Sequence, residues 1–370
     1  MPCYSPLSGW YSKNPNPSGK HSIVFDKKYA QLDAEVRLPC GKCIGCRLER
    51  SKVWAIRCAH EASLHTNNCF ITLTYDNDNL PADGSLTKPH WQQFMKNLRK
   101  RLVPKNPFSP RPPNDATDPD LIEQRVQFDL FQEKHRISFY MCGEYGQDQE
   151  AAKLGFDRLG RPHFHAILFN FNPITQGKLV YSKASLSNSA PTKYGNYREV
   201  EKSQTGEDQF ESSVIDSCWG KGRARISLFS FDAAAYVARY CTKTLDAGIT
   251  PDQEAKFIDH YTKYDEETGS AWLVEPEFNL MSRNPSIGKT WFNRYNKELS
   301  KGYITINGTE VSIPDYYLTL MDKDVDLSNQ LSDIKALRSE FLASKDQPDS
   351  FDLRISEEIR LKQIRSLKRE

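Results

Sequence analysis

The chain of 370 residues lacks an uninterrupted apolar run of about 18 residues, the length that crosses a membrane. Its first residues, Met-Pro-Cys-Tyr-Ser-Pro, also lack the basic-then-apolar pattern of a secretion signal. Charge of one sign is not in excess, because the formal net charge is only +2 at pH 7. We therefore expect a protein that is neither membrane-bound nor secreted, and any basic surface for nucleic acid must be local.

Cysteine usage limits the possibilities further. The chain has nine cysteines, an odd number, without a recognisable secretion signal. We therefore expect no disulfide framework, and free or metal-bound thiols in a reducing cytoplasm fit the pattern better. A hydrophobic fraction of 38% over this length allows one large or two modest domains with a buried core.

Prolines, glycines and periodic apolar residues divide the chain into three predicted regions. Residues 1–66 form a Cys-rich segment, irregular up to residue 39, that ends in a helix over residues 47–65. Residues 67–300 form the main domain, whose patternless stretches near 104–130 and 171–215 are predicted insertions. Residues 301–370 form a charged helical tail. In the main domain we predict strands and helices as follows: strands 69–75, 136–142, 163–169 and 223–229, and helices after Thr87 and over 233–244.

Two histidines on the third predicted strand could bind a metal ion. His163 and His165 are two residues apart, so their imidazoles point to the same face of a sheet. Glu144 ends the preceding predicted strand, and antiparallel pairing could bring its carboxylate beside them. Two nitrogens and one carboxylate suit Mg²⁺ or Mn²⁺ and leave positions open for a phosphate. Taken alone, the two histidines are more often residues of a solvated sheet face, and Glu144 is more often a surface turn residue, than metal ligands.

Two tyrosines and a lysine share one face of the helix predicted over residues 233–244. Tyr236, Tyr240 and Lys243 are spaced i, i+4 and i+7. A phenol is a weak nucleophile near neutral pH, because its pKa is about 10, and it needs a cation nearby. The alternative to a catalytic role is a structural helix, in which the tyrosines pack on the sheet and the lysine is solvated. Together with the metal ligands, however, these residues supply what phosphodiester cleavage by transesterification needs.

Three motifs resemble, in order, those of rolling-circle replication initiators of the HUH endonuclease superfamily. They are Phe-Ile-Thr-Leu-Thr-Tyr75, Arg-Pro-His163-Phe-His165 and Tyr236-Val-Ala-Arg-Tyr240-Cys-Thr-Lys243. The paired tyrosines resemble the two-tyrosine branch of phage initiators. Four further segments are similar to the initiators of gokushovirus-like microviruses: Met-Pro-Cys3, Cys40-Gly-Lys-Cys43-Ile-Gly-Cys46, Gly-Glu-Tyr-Gly146 and Ser282-Arg-Asn-Pro-Ser-Ile-Gly288. The resemblance covers roughly residues 1–295.

The resemblance implies an α+β fold in which a central antiparallel sheet carries the His-x-His strand and is flanked by helices. It also implies nicking of one strand of viral DNA at the origin, with a 5′-phosphotyrosine link and a 3′-hydroxyl that primes synthesis. Carried onto this chain, it makes His163 and His165 metal ligands, with Glu144 as the third. Tyr236 and Tyr240 become nucleophiles, and Lys243 stabilises the reacting phosphate. The implied partners are single-stranded or melted origin DNA and the host helicase and polymerase, in the host bacterial cytoplasm.

The cysteine cluster predicts a second metal site. Cys40, Cys43 and Cys46 have the spacing of zinc ligands, and either Cys3 or Cys58 could complete four thiolates. We prefer Cys3, because Cys58 falls within the predicted helix. Three free thiols at the start of a helix are the alternative.

We predict that DNA is contacted by local basic residues, which are also compatible with other functions. These residues are in the cysteine cluster and its helix, in the stretch from Lys96 to Arg101, and at Arg283. A plasmid relaxase or transposase would use the same chemistry in another DNA context. A zinc-containing nucleic-acid-binding protein without catalysis is the rival from a different class.

Overall fold

The computed structural model describes most of the chain, which divides into two compact units. One unit comprises Met1–Val53 with Asn296–Glu370, and the other comprises Trp54–Tyr295. The described residues are all except 1–2, 18, 20, 148–152, 154–157, 188–192, 204–205, 240–250, 266–267, 307, 344–349 and 367–370. Within them, no helix is long and apolar enough to cross a membrane.

An eight-stranded sheet forms the centre of the unit Trp54–Tyr295. Its longest strands are β4 (Asn68–Tyr75), β5 (Ser138–Gln147), β6 (Leu159–Phe169) and β10 (Gly222–Leu228). They lie in the order β5-β6-β4-β10 with antiparallel pairing. Strand β13 (Phe278–Met281) pairs with β5 at one edge. The α+β fold class and the central antiparallel sheet predicted from the sequence are therefore confirmed.

One face of the sheet is covered by two helices whose apolar residues recur at helical spacing. Helix α2 (Lys88–Leu102) buries Trp91, Phe94 and Leu98, and α6 (Ser213–Trp219) buries Val214 and Trp219. They pack against the alternate residues of β4 and β6 that point to this face, namely Cys69, Ile71, Leu73, Phe164, Ala166 and Leu168.

The opposite face carries the histidines and is only partly covered. Helix α1 (Ile44–Ser63) places Ala55 and Cys58 against it, and α7 (Phe231–Arg239) places Ala234 and Val237. These small side chains pack on Ile167 and Phe169 of β6, beyond His165 along the strand. The hydrophobic core on this face stops before His165, so the histidines lie at its border.

Short elements complete this unit, and several lie where the sequence predicted patternless insertions. Helix α3 (Pro119–His135) starts at Asp118, whose side chain accepts a hydrogen bond from the backbone of Asp120. Most of its apolar residues are exposed, so the sequence has no amphipathic pattern from which this helix could be predicted. The other short elements are α4 (Pro173–Gln176), β7 (Lys178–Leu179), α5 (Lys183–Ser187), β8 (Asn196–Glu199), β9 (Phe210–Ser212), α8 (Pro251–Tyr261), β11 (Thr262–Tyr264), β12 (Ala271–Leu273) and α9 (Lys289–Tyr295).

The unit of Met1–Val53 with Asn296–Glu370 contains a small sheet and a helical tail. The prediction that residues 1–39 are irregular is wrong, because β1 (Leu7–Ser12), β2 (Ile23–Val24) and β3 (Ala30–Leu38) form a three-stranded antiparallel sheet. The prolines that suggested a loop flank these strands and do not interrupt them. The remaining elements are β14 (Tyr303–Ile306), β15 (Thr309–Ser312), α10 (Asp315–Asp322), α11 (Leu331–Ala343) and α12 (Ser350–Ser366). Helices α11 and α12 lie within residues 301–370, where the sequence predicted a charged helical tail.

Candidate functional site

Strand register brings three polar side chains together on the open face of the sheet. Glu144 on β5 lies opposite His163 on β6, and His165 follows two residues later on the same face. The metal-ligating atoms of the three residues lie within 4.8 Å of one another. The three residues predicted from sequence as ligands of a divalent ion thus form one cluster.

The distances within this cluster suit a small hard cation. Glu144 Oε1 lies 2.8 Å from His163 Nε2 and 3.2 Å from His165 Nε2. Adjacent ligands of an octahedral ion bound at about 2.1 Å lie about 3 Å apart, so little rearrangement is needed. Glu144 and His165 are buried, which holds their side chains in place, while His163 is partly open to solvent.

Neighbouring groups orient both imidazoles toward the carboxylate. His163 Nδ1 lies 3.1 Å from the carbonyl oxygen of Arg161, which can only accept, so Nδ1 carries the proton in the neutral ring. His163 Nε2 then faces Glu144 Oε1, to which it donates when the ring carries two protons and beside which its lone pair can bind a cation. Thr72 Oγ1 contacts His165 Nδ1 at 2.9 Å and holds the orientation of that ring.

The electrostatics of the cluster keep the carboxylate ionised. Burial of Glu144 disfavours its charged form, but hydrogen bonds from His163 and His165 outweigh burial. Together with the charge of the imidazoles, these bonds lower the pKa of Glu144 to about 2. An ionised, buried carboxylate between two imidazoles is a strong cation ligand.

Tyr236 lies next to this cluster. Its ring centroid is 5.3 Å from that of His165, in an edge-on arrangement. Phe70 on β4 contacts both rings, stacking on His165 at 5.7 Å and meeting Tyr236 edge-on at 6.1 Å. Packing of Ala234 and Val237 into the core on this face holds α7, and therefore Tyr236, against β4 and β6. The predicted residues Tyr240 and Lys243 lie outside the described residues.

Four cysteines form a second cluster in the other unit. The Sγ atoms of Cys3, Cys40, Cys43 and Cys46 all lie within 4.8 Å of one another. Cys40 lies 3.9 Å from Cys46, and Cys43 lies 3.8 Å from Cys3, measured between Sγ atoms. Ligands on a tetrahedral zinc at about 2.3 Å are about 3.8 Å apart, so the spacing suits this ion. Cys58 is buried in the core of the unit Trp54–Tyr295 and does not belong to this cluster.

Backbone amides support the negative charge of this cluster. The N–H groups of Cys40, Tyr4 and Cys43 donate to the sulfurs of Cys3, Cys43 and Cys40, at 3.2, 3.3 and 3.2 Å. At Cys40, burial disfavours the thiolate, but hydrogen bonds from the backbone of Cys43 and Lys42 and from other thiols outweigh it. The pKa of Cys40 is consequently lowered to about 7.

Comparison with known proteins matches this chain to replication-associated proteins of phages. Residues 68–245, which include the described strands and helix of the His–Glu cluster, match the family model of the replication-associated protein ORF2/G2P. A replication-associated protein VP4 of Bdellovibrio phage phiMH2K is 28% identical over 95% of this chain and 88% of its own length. The chain is thus similar to replication-associated proteins of phages, over nearly all of its length in the case of the Bdellovibrio phage protein. The resemblance identified from the sequence motifs is confirmed at this level.

Two further replication-associated proteins match over shorter stretches. A replication-associated protein ORF4 of Chlamydia phage 1 is 25% identical over 77% of this chain and 54% of its own length. A replication-associated protein ORF2 of Spiroplasma virus 4 is 27% identical over 68% of this chain and 60% of its own length. No solved structure matches.

The segment from Ser282 to Gly288 connects α1 with the central sheet. Its sequence was part of the resemblance, but the segment as a whole had no predicted role. The Arg57 guanidinium on α1 donates to the carbonyl oxygen of Ile287 at 2.9 and 3.1 Å. The buried Glu61 carboxylate accepts from Gly288 N at 2.9 Å and from Ser138 Oγ at 3.0 Å. These hydrogen bonds thus link α1, this segment and the start of β5.

Thr72 is a positioning residue that sequence reasoning did not single out. The available signal was its place in the alternating strand, since β4 pairs Thr72 directly with His165. We expect Thr72→Val to weaken binding of Mn²⁺ about tenfold, because the His165 ring loses the partner that orients it. The measurement is the dissociation constant of Mn²⁺ from a direct titration of the purified protein. Thr74→Val is the matched control, since Thr74 Oγ1 donates instead to the Arg223 carbonyl. Equal effects of both substitutions would contradict this role.

Proposed function

We propose that this protein initiates phage DNA replication by nicking one strand of the origin through a tyrosine that becomes joined to the DNA. Similarity to replication-associated phage proteins supports a role in replication. The observation that carries the chemistry is the juxtaposition of Tyr236 with the cluster of Glu144, His163 and His165 on one face of the sheet. The Tyr236 ring lies 5.3 Å from that of His165 between centroids, beside the residues that would hold the ion.

The residues of this chain divide the reaction between them. His163, His165 and Glu144 would hold Mg²⁺ or Mn²⁺, which when bound polarises the scissile phosphate. The Tyr236 phenol loses its proton, its oxygen forms a bond to phosphorus, and the bond from phosphorus to the 3′-oxygen breaks. That oxygen takes up a proton and becomes a 3′-hydroxyl. The 5′ end stays linked to the protein as a phosphotyrosine, which preserves the energy needed for rejoining.

Tyr240 and Lys243 complete this proposal on the strength of their sequence spacing. A second phenol allows the old 5′ end to stay bound while the regenerated origin is cut, so that the first linkage is resolved into a closed circle. Lys243 would stabilise the developing negative charge on the phosphate. The 3′-hydroxyl would prime the host polymerase, and a host helicase would unwind the duplex in the bacterial cytoplasm.

A strand-polarity assay tests the proposed function. The protein is incubated with Mn²⁺ and single-stranded oligonucleotides that tile the phage's replication origin, labelled at one end or the other. We expect the 3′-labelled product to migrate with the protein on a denaturing gel, and the 5′-labelled product to be released and extended by a polymerase. Absence of any cut or adduct across the whole tiled set would favour a binding protein without catalysis.

We further propose that Cys3, Cys40, Cys43 and Cys46 bind a structural zinc ion. Four sulfurs at tetrahedral spacing, with amide donors around them, support this assignment. The ion would join the segment before β1 to the start of α1, since Cys3 precedes the first strand and Cys46 lies in the helix. Its role is thus to fold the small sheet, separate from nicking.

Elemental analysis tests the zinc proposal. We expect about one zinc per chain in the purified protein, and its loss in Cys43→Ser together with a lower thermal midpoint, because the ligand set becomes incomplete. Cys218→Ala is the control, because this buried cysteine lies on α6, outside the cluster. Wild-type protein without zinc, or a Cys43→Ser variant that retains it, would contradict the proposal.

A further inference from the structure

A cavity of about 430 Å³ opens at the end of β5 that is remote from the His–Glu cluster. Three arginines from different elements line it: Arg99 on α2, Arg136 just before β5, and Arg283 just after β13. Arg99 and Arg136 are half-buried, and Arg283 is exposed at the mouth. Three guanidinium groups around one cavity are unusual unless an anion neutralises them.

Backbone carbonyls fix the first two guanidiniums without neutralising them. Arg99 donates through Nε and Nη2 to the Ile137 carbonyl, at 3.2 and 2.9 Å. Arg136 donates through Nη2 to the Pro285 carbonyl at 2.6 Å. Because a guanidinium has five N–H groups, both arginines keep further donors for a ligand. Their positions are therefore set before any ligand binds.

No carboxylate forms an ion pair with these three arginines in the described part of the chain. Burial lowers the pKa of both Arg99 and Arg136, and each keeps its charge because an arginine starts far above neutral pH. Glu61 is near enough to Arg136 to offset part of this shift. Its two oxygens, however, already accept from Ser138 and Gly288. The cavity keeps a net positive charge.

The position of the cavity relates it to the proposed nicking site. Phe139, which lines the cavity, precedes Glu144 by five residues on β5, so the two sites lie about 17 Å apart along the strand. That separation is close to five nucleotide steps of a duplex strand, at about 3.4 Å each. Because this spacing is odd, Phe139 and Glu144 point to opposite faces of the sheet, so DNA that contacts both sites must pass around the sheet edge formed by β13.

We propose that this arginine cavity binds a backbone phosphodiester of DNA that flanks the nick. Planar guanidiniums match the paired oxygens of a phosphodiester, and contacts of this kind set the position of a strand without reading its sequence. The proposal rests on the proposed function only in that the flanking DNA belongs to the replication origin. The contact itself needs neither the metal ions nor a cut.

Binding of DNA without divalent ions tests the proposal independently of nicking. The probe is a fluorescein-labelled single strand of mixed sequence, titrated with the full chain at several salt concentrations. We expect Arg283→Ala to raise the Kd about tenfold and to reduce the salt slope by about 1, as loss of one phosphate contact should. We expect the same changes in Kd and salt slope for Arg136→Gln, which keeps an N–H donor for the Pro285 carbonyl. Lys134→Ala is the control, because Lys134 is an exposed cation two residues before Arg136 that does not line the cavity.

Two outcomes would overturn the proposal. Arginine variants that change Kd and salt slope no more than Lys134→Ala would show that the cavity contacts no DNA phosphate. Calorimetry with inorganic phosphate alone provides the other arm. If Arg283→Ala abolishes binding of inorganic phosphate but leaves DNA binding unchanged, the cavity takes a free anion instead. A protein that fails to nick but shows the expected Kd changes would keep this proposal and lose the proposed function.

Discussion

The variant in which His163 and His165 are both replaced by alanine should lose origin nicking by about 10³-fold or more. Both imidazoles face Glu144, and without them the carboxylate alone cannot hold a divalent ion in the buried cluster. The residual rate should no longer depend on the Mn²⁺ concentration. The measurement is the initial nicking rate on a single-stranded origin oligonucleotide over a range of Mn²⁺ concentrations.

The control for this variant is His135→Ala, since His135 lies at the end of α3 on a different element from the cluster. Nicking should be unchanged in the control, and binding of uncut DNA without metal should be unchanged in both variants. A double variant that cuts at the wild-type rate, with the same dependence on Mn²⁺, would show that the catalytic ion binds elsewhere.

Replacing Tyr236 and Tyr240 together by phenylalanine should abolish the covalent protein–DNA adduct, a loss of at least about 10³-fold. The substitution removes only the hydroxyl oxygens, so the packing of the Tyr236 ring on Phe70 and His165 is retained. Adduct formation on a denaturing gel is the measurement. Each single variant should retain one round of cutting if the two phenols alternate.

Tyr181→Phe is the control for the tyrosine variants, because this tyrosine is 90% exposed and lies outside the candidate site. Its adduct yield should equal that of the wild type. DNA binding should persist in the double variant, which separates loss of the nucleophile from loss of fold. An adduct that survives in the double variant would mean that another residue attacks the phosphate.

Sequence periodicity was sufficient to predict the centre of this fold. The alternating apolar residues of β4 point to one face, and the His-x-His spacing places two imidazoles on the other. The i and i+2 rule needs no tertiary information, so the shared face of His163 and His165 followed from the sequence. Membership of Glu144 in the cluster was conditional, because it depends on the register between β5 and β6.

Other parts of the fold depend on contacts that local sequence does not encode. Residues 1–39 pair as three strands although prolines and glycines flank them. Short strands at the sheet edge, such as β8, have too few residues for a recognisable period and are held by their neighbours. Phe70 and Thr72 both belong to a motif that resembles the family. Only the structure shows that they contact His165.

The central claim is that a tyrosine of α7 or of the residues just after it attacks a phosphate bound at the His–Glu cluster. Mass spectrometry of the protease-digested protein–DNA adduct tests it most directly. We predict a nucleotide joined through a 5′-phosphate to Tyr236 or Tyr240 in the peptide that contains them. A nucleotide attached to any other residue, or cleaved DNA with no protein attached, would contradict the account.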